Sequence, residues 1–154
     1  MNLSYIFIPL ITVLVAGGGS WLTNQGLAVW YQQLQLPSIA PNGGVIGLVW
    51  TIIFILATIS ALLFWNQHSK QKNRQVIAGL FLANAILNLA WSYIFFVQHW
   101  LGWTIIEMTV LNLTTLTLIV LLWHKTRNSA VLLLPYLIWV SFATYLAYQI
   151  WLLN

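Results

Sequence analysis

The stretch VIGLVWTIIFILATISALLFW, residues 45–65, decides the fold class. It carries no charged side chain, and about 20 predominantly apolar residues are what an α-helix needs to cross the hydrocarbon core of a bilayer. In lipid every backbone N–H and C=O has to find its partner within the segment, which a helix provides. The stretch therefore predicts a transmembrane helix.

Apolar runs of similar length lie on both sides of this stretch. Together they predict five spans, at residues 3–22, 45–65, 76–97, 103–123 and 130–153. The composition agrees, since 61% of the residues are hydrophobic and 4% are charged, whereas soluble domains carry roughly 25% charged residues. We therefore predict an all-α fold, a single integral membrane domain over residues 1–154 built as a bundle of five transmembrane helices.

The connection at residues 23–44 is the only long one. It is rich in Pro, Asn and Gly, which cannot continue a helix. It is long enough to fold over one end of the bundle as a lid, and a plain linker is the alternative interpretation.

All the Lys and Arg side chains lie in two short connections. Short loops rich in these residues stay on the cytoplasmic side of a membrane, and with five spans these two connections share a face. We therefore expect a cytoplasmic N-terminus, with the first loop and the C-terminus outside. The cations are Lys70, Lys72, Arg74, Lys125 and Arg127.

Several classes of function are not expected from this chain. The net charge of +4 comes from too few, too confined cations for nucleic-acid binding. Cysteine is absent, and His68, His99 and His124 are too scattered to predict a metal site. No Ser-His-Asp set, carboxylate pair or phosphate loop indicates classical enzyme chemistry or a required cofactor. Glu107, the only acid, lies within the fourth span, where a functional carboxyl and a group favoured by the helix N-terminus are both tenable.

Ten tryptophans in 154 residues require an explanation. An aromatic belt at the two membrane interfaces accounts for those near span ends, namely Trp21, Trp30, Trp65, Trp100, Trp103, Trp123 and Trp151. Trp50, Trp91 and Trp139 instead fall within three different spans, roughly 10 to 20 Å below the outer face at the helical rise per residue. They are therefore candidates for the wall of a shared site.

Polar and aromatic side chains on two spans extend this set. Helical spacing gives one stripe on the third span and one on the fifth. Buried amides could simply bond neighbouring helices while the indoles fill the core. Flat aromatic walls with a few polar handles also suit a planar apolar ligand. The stripes are Asn84, Asn88, Trp91 and Phe95, and Tyr136, Trp139 and Ala143.

Small residues on the third span indicate a helix–helix contact. Gly79 and Ala83 form a small-xxx-small patch, and Ala90 continues its face. Such patches let two helices approach closely within a bilayer. We expect a homodimer through the third span.

The sequence resembles the tryptophan-rich sensory protein and translocator protein family, also called the peripheral-type benzodiazepine receptors. The likeness runs from about residue 17 to the C-terminus. The segments that carry it are Trp30-Tyr31 with Leu34, Pro37-Ser38 and Pro41; Gly47-Leu48-Val49-Trp50; Leu87-Asn88-Leu89-Ala90-Trp91 with Ile94-Phe95-Phe96; Gly102-Trp103 ahead of Glu107; and Leu134-Pro135-Tyr136-Leu137-Ile138-Trp139 with Phe142-Ala143-Thr144-Tyr145-Leu146.

The resemblance implies a five-helix bundle, commonly dimeric, that binds protoporphyrin IX and related tetrapyrroles. In mitochondrial relatives it also implies cholesterol and benzodiazepine-type ligands. The family's pocket maps onto Tyr31 in the lid and onto Trp50, Asn88, Trp91, Trp139 and Ala143. Glu107 stands where family members usually carry Asp.

This chain departs from the family pattern in two places. In the lid, Ile39 replaces a Trp and Asn42 replaces a Pro, which puts the rigidity of the lid and its ligand contacts in question. Near the C-terminus no Lys or Arg follows Tyr145 or Tyr148, so the proposed sterol motif is incomplete. A tetrapyrrole is therefore favoured over a sterol.

Two hypotheses of function follow from the resemblance and the candidate site. The first is a receptor or translocator that binds a porphyrin for transport or sensing. The alternative is an enzyme that degrades the porphyrin in light and oxygen, with Trp50 or Trp139 as the electron or radical partner. A partner-binding structural protein is a third hypothesis.

Overall fold

The computed structural model describes residues 3–67 and 74–154. This part of the chain is helical and contains five helical stretches long and apolar enough to cross a membrane, which confirms the predicted five-span bundle. Lys70 and Lys72 lie outside the described residues. The helices are α1 (Ser4–Leu27), α2 (Gly43–Gln67), α3 (Arg74–Ser92, continued by a π-helical turn Tyr93–Val97), α4 (Leu101–Trp123), α5 (Arg127–Leu132) and α6 (Leu134–Leu153).

Helix α1 is longer than the predicted first span, which ended at residue 22. It continues to Leu27 through a polar run, because its last turn packs tightly on the end of α3. A Cβ built on Gly26 would lie 2.2 Å from the carbonyl oxygen of Phe96. Only a glycine permits this approach, so the lid connection begins at residue 28.

The end of α3 winds as a π-helix over Tyr93–Val97. An extra residue in a turn changes which side chains face inward. Phe95 and Phe96 are both buried here, with 4% and 6% of their surfaces exposed, and their rings meet edge to face. The π turn thus directs two consecutive phenylalanines into the bundle.

The predicted fifth span is two helices. Helix α5 ends at Leu132 and α6 begins at Leu134, with Pro135 in the first turn of α6. Proline has no N–H to donate and restricts the residue before it, which explains the break. A reciprocal pair fixes α5 to α2: Ser60 Oγ donates to the Ser129 carbonyl at 2.8 Å, and Ser129 Oγ donates to the Ser60 carbonyl at 3.0 Å.

The central helix of the bundle is α4, which packs against α3, α5 and α6. Its inward face supplies much of the buried core, including Leu111, Leu118 and Leu122. Helix α1 packs against α2 and α3, whereas α2 meets α3 and α6 over only short stretches. This spacing leaves room for cavities beside α2.

The two ends of the bundle differ in chemistry. We call the end where α2 and α4 finish and α3 and α5 begin the basic end, because Arg74, Lys125 and Arg127 lie there. The opposite end, where the residue 28–42 connection lies, is the lid end. Trp21 and Trp103 are exposed near it, as expected for an interfacial belt.

Residues 28–42 fold over the lid end, which favours the lid over the plain linker that the sequence also allowed. A short 3-10 turn, Tyr31–Gln33, begins the segment, and the Tyr31 ring packs on Phe96 with centroids 5.8 Å apart. At its middle the Gln35 N–H donates to Asn154 Oδ1 at 2.9 Å, and Asn154 Nδ2 donates to the Gln35 carbonyl at 3.1 Å. The first loop is thus held to both α3 and the end of α6.

Trp30 does not behave as the simple interfacial anchor that the sequence suggested. Its indole stacks on the His99 ring, with centroids 4.1 Å apart and planes 14° apart, and meets Phe95 edge to face at 5.1 Å. His99 adopts a left-handed backbone conformation (φ 59°) in the short connection between the π turn and α4. Trp30 therefore fastens the lid to that connection.

Candidate functional site

A cavity of about 510 Å³ lies beneath the lid. We call it the lid-end cavity. Its walls come from the second half of α1, the lid, the first half of α2, the end of α3 and the middle and second half of α6, with Met108 reaching in from α4. Cavities of 300–1,000 Å³ are typical of small-molecule sites, and this one is large enough for a drug-sized ligand.

Aromatic rings form the main wall of the lid-end cavity. Trp50 on α2 and Trp91 on α3 lie with ring centroids 6.0 Å apart, and Trp91 stacks on Phe95 at 6.0 Å with planes 14° apart. On α6, Trp139 packs against Phe142 at 5.6 Å. The indoles from three spans that the interfacial belt does not explain therefore line one cavity.

Two of the polar side chains on the wall, Asn88 and Tyr31, are ones that the sequence singles out. Asn88 Nδ2 donates to the Tyr136 hydroxyl at 2.6 Å, which fixes the amide at the cavity floor. Above it, Tyr31 reaches in from the lid. Burial raises the pKa of Tyr31 above its usual value, so its hydroxyl stays protonated at neutral pH. The cavity thus presents an amide below and a phenol above.

Two indole N–H groups on this wall have no acceptor in the part of the chain that the structure describes. They belong to Trp91 and Trp139, and both nitrogens are buried. Unsatisfied buried donors are uncommon in folded proteins, and each calls for an explanation. A ligand with acceptor groups would satisfy them.

The structure brings together seven of the nine side chains that the sequence singles out for ligand binding. They all line the lid-end cavity: Tyr31, Trp50, Asn88, Trp91, Phe95, Trp139 and Ala143. The other two, Asn84 and Tyr136, line a second cavity nearer the basic end. Tyr136 nevertheless supports the first site, because it holds Asn88 and packs edge to face on Trp50 at 6.1 Å.

Other wall residues escaped the sequence analysis. Phe54 and Phe142 follow Trp50 and Trp139 by four and three residues, so helical spacing could have indicated them. The contribution of α1 had no such signal, because apart from Leu27 it comes from small and polar residues. These are Ala16, Gly19, Ser20, Thr23 and Asn24.

The two departures in the lid have distinct structural consequences. Asn42 caps α2, since its Oδ1 accepts from the Val45 N–H at 2.9 Å, as a good N-cap residue does. It also lines the cavity. Ile39 is 48% exposed and does not contact the cavity. Asn42, which stands in place of the proline, therefore orders the start of α2. Ile39 does not contribute to the wall of the lid-end cavity.

Glu107 lies on the buried side of α4, beside Met108. Only 8% of its surface is exposed, and neither carboxyl oxygen has a hydrogen-bond partner among the described residues. It is not part of the cavity wall. A buried carboxyl in a membrane span is costly, so its presence behind the wall favours a functional group over a carboxylate reaching the interface.

Known proteins resemble this chain over nearly its full length. A family model described as the TspO/MBR family matches residues 7–152. The chain is 36% identical to "Tryptophan-rich protein TspO" of Bacillus cereus over 125 residues, which are 81% of this chain and 80% of that protein. It is 31% identical to a protein of the same name from Archaeoglobus fulgidus over 156 residues, covering 100% and 99%. It is 30% identical to "Translocator protein" of Homo sapiens over 135 residues, covering 87% and 79%. This multi-pass membrane protein belongs to the TspO/MBR family.

Proposed function

We propose that the lid-end cavity binds a tetrapyrrole such as protoporphyrin IX, for transport or sensing. The observation that carries this proposal is the convergence of Trp50, Trp91 and Trp139 from three spans on one cavity of about 510 Å³. Indole faces stack on flat π-systems and bury large apolar areas. A planar macrocycle is the ligand that gains most from such walls.

The polar groups set the orientation of the ligand. The macrocycle would lie against the indoles, with acceptor atoms near the N–H groups of Trp91 and Trp139. Acidic side arms would point towards the lid, where Tyr31 and Gln32 line the cavity and water is close. Charged groups are expensive inside a bilayer, so this orientation keeps them at the interface.

A fluorescence titration tests the proposal. Adding protoporphyrin IX to purified protein in lipid nanodiscs should quench tryptophan emission saturably. Replacing Trp50 and Trp139 by Phe should weaken binding by several-fold, because a smaller ring loses part of the stacking area. Absorbance of the bound porphyrin gives a second readout that does not depend on the number of tryptophans.

Trp103→Phe is the matched control. Trp103 is 63% exposed and lies outside the lid-end cavity. It should leave the porphyrin Kd unchanged. Absence of saturable quenching at micromolar porphyrin, or equal weakening by the control, would reject the proposal.

A chain of aromatic rings favours porphyrin oxidation as the second candidate function. From Trp50 the rings continue through Trp91 and Phe95 to Trp30 at the lid, in steps of 6.0, 6.0 and 5.1 Å between centroids. An excited porphyrin can take an electron from a contacting indole and pass it to oxygen, which leaves an indole radical and superoxide as the oxidants of the macrocycle. Illumination of the complex in air should then yield a new chromophore. Loss of that product in Trp50→Phe, with binding retained, would support catalysis; an unchanged Soret band would support binding alone.

A homodimer through α3 is part of the proposed function. The small residues of this face, Gly79, Ala83 and Ala90, lie on the side of α3 turned away from both cavities at 100° per residue. Gly79 is exposed, and a Cβ there would meet nothing within 4 Å. Gly79→Cys should form a crosslink between two copies of the protein in native membranes. Leu113→Cys should not, although the Leu113 side chain on α4 is also exposed. Equal crosslinking at both positions would reject this interface.

A further inference from the structure

A second cavity, of about 500 Å³, occupies the basic-end half of the bundle between α1, α2 and α3. We call it the basic-end cavity. It meets the lid-end cavity at Phe54 and Asn88, which line both. This cavity could not be predicted from the sequence, because its wall is made of ordinary apolar residues such as Phe7, Ile11 and Ala78.

The length of the basic-end cavity matches one leaflet of a bilayer. Along α3 its wall runs from Ala78 to Asn88, a rise of ten residue steps, or about 15 Å at the helical rise. The hydrocarbon core of a bilayer is about 30 Å thick, so one leaflet contributes about 15 Å. The cavity thus spans the depth of the acyl chains on the side of the basic end.

The basic-end cavity opens sideways into the lipid. Phe7 and Ile11 on α1 line it while 55% and 44% exposed, and Leu82 on α3 lines it while 53% exposed. The lid-end halves of these two helices are close, since a Cβ on Gly18 would lie 3.1 Å from Leu89. Towards the basic end α1 carries large side chains in place of glycine, and the cavity lies in the gap between the two helices. An acyl chain can enter through this gap.

The polar side chains on the wall already have partners. Ser4 donates to Asn66 at 2.8 Å, and the hydroxyls of Thr12 and Thr58 lie 2.7 Å apart. At the inner end, Asn84 accepts from Tyr136 at 2.7 Å. Because their hydrogen bonds are internal, these groups give a ligand little polar recognition, and the site selects an apolar chain.

A cation lies at the mouth of the basic-end cavity. Trp65 lines the mouth, and the Arg74 guanidinium carbon lies 3.6 Å from the centroid of its ring. Arg74 also donates from Nη2 to the Trp65 carbonyl at 3.4 Å. The planar guanidinium is suited to phosphate, and cations at a membrane surface attract anionic lipids.

We propose that the basic-end cavity binds one acyl chain of an anionic phospholipid, with the phosphate beside Arg74. The proposal is independent of the tetrapyrrole site, since it uses a different cavity. The bound chain would fill the space between α1 and α3 and form the floor under Asn88. The apolar wall of the basic-end cavity would recognise the acyl chain, and the Arg74 guanidinium would recognise the headgroup.

Photocrosslinking tests the acyl-chain part. The probe is phosphatidylglycerol with a diazirine on one chain, at low fraction in phosphatidylcholine vesicles that contain the protein. Peptide mass spectrometry should find adducts concentrated at Phe7, Ala61 and Ala78, above the level at Val120, which is 58% exposed to lipid on α4. Ala78→Trp should fill the cavity and abolish these adducts, whereas Val120→Trp should leave them.

Melting curves by circular dichroism show whether each variant folds. If Ala78→Trp does not fold, Ala85→Phe, on the same wall, replaces it. Labelling of Phe7 no stronger than of Val120, or unaffected by filling the cavity, would overturn the proposal. Labelling of Val120 without any labelling of Phe7 would also overturn the proposal, because it would mean that a protein segment covers the cavity.

A matched pair of arginines tests the headgroup part. Arg127 lies at the same end, 5.2 Å from the Trp123 ring, and away from the cavity. Arg74→Gln should reduce labelling by the phosphatidylglycerol probe but not by a phosphatidylcholine probe, and Arg127→Gln should change neither. An equal reduction by both substitutions would show general attraction to the membrane surface and overturn the role of Arg74.

Discussion

Asn88 donates from its Nδ2 to the hydroxyl of Tyr136 over 2.6 Å, which joins α3 to α6 where the two cavities meet. Tyr136 in turn donates to Asn84 Oδ1 at 2.7 Å, and Asn84 donates to Thr115 at 2.9 Å. The chain of bonds crosses three helices inside the bundle. It supports the core and also sets the position of Asn88, an amide on the wall of the lid-end cavity.

Tyr136→Phe should destabilise the bundle. The substitution leaves Asn84 Oδ1 and Asn88 Nδ2 without this partner at a buried site, which costs about 1–2 kcal/mol. Unfolding by SDS in mixed micelles, followed by circular dichroism, measures the loss. Tyr148→Phe is the control, because Tyr148 is 43% exposed. A Tyr136→Phe protein as stable as wild type would show that the bond chain contributes nothing.

Gly26→Ala should loosen the packing of α1 on the end of α3. The added Cβ would lie 2.2 Å from the Phe96 carbonyl oxygen, and backbone has to move to admit it. Overpacking of this kind typically costs 1–3 kcal/mol. The same unfolding assay should show the loss.

Gly17→Ala provides the matched control on the same helix. A Cβ at Gly17 would meet nothing within 4 Å, and alanine is the better helix former, by up to about 1 kcal/mol. This substitution should be neutral or slightly stabilising. If the two variants behaved alike, the close approach at Gly26 would not be a determinant of the fold.

The five spans were predictable because lipid demands long apolar helices and the sequence shows them directly. The end of α1 was not, since residues 23–27 look like a loop in the sequence, whereas in the structure this end of α1 packs on the end of α3, with Gly26 against Phe96. The break between α5 and α6 at Leu133 could have been predicted, because Pro135 is in the sequence and a proline restricts the residue before it. Local composition thus predicts spans, and tertiary contacts decide where they end.

The aromatic part of the candidate site was predictable for a similar reason. A tryptophan in mid-span, such as Trp50 or Trp139, stands out against the interfacial belt. Two neighbours on the predicted stripes, Asn84 and Tyr136, face the other cavity instead. Helical spacing places residues on one face of a helix, but it does not say which of two cavities that face borders at each depth.

Asn154→Leu should release the middle of the lid. Asn154 accepts from the Gln35 N–H and donates to the Gln35 carbonyl, at 2.9 and 3.1 Å. Each bond contributes about 0.5–1.5 kcal/mol, so the Gln35 amide should exchange its hydrogen several-fold to tenfold faster. Hydrogen–deuterium exchange of a peptide covering residues 31–36 measures this. Asn128→Leu, at the basic end, should leave that peptide unchanged, and an equal effect of both would contradict the link.

The orientation of the bundle can be tested with single cysteines, because the chain has none of its own. Cations favour the cytoplasmic side in short loops, so Arg74, Lys125 and Arg127 predict that the basic end lies inside and the lid outside. In intact cells a membrane-impermeant maleimide should label Ser38→Cys in the lid and spare Asn128→Cys in α5, which is exposed. Permeabilised cells serve as the control, where both positions should react. Labelling of Asn128→Cys alone in intact cells would mean that the chain is inserted the other way round, which would also move the basic-end cavity and Arg74 to the opposite leaflet.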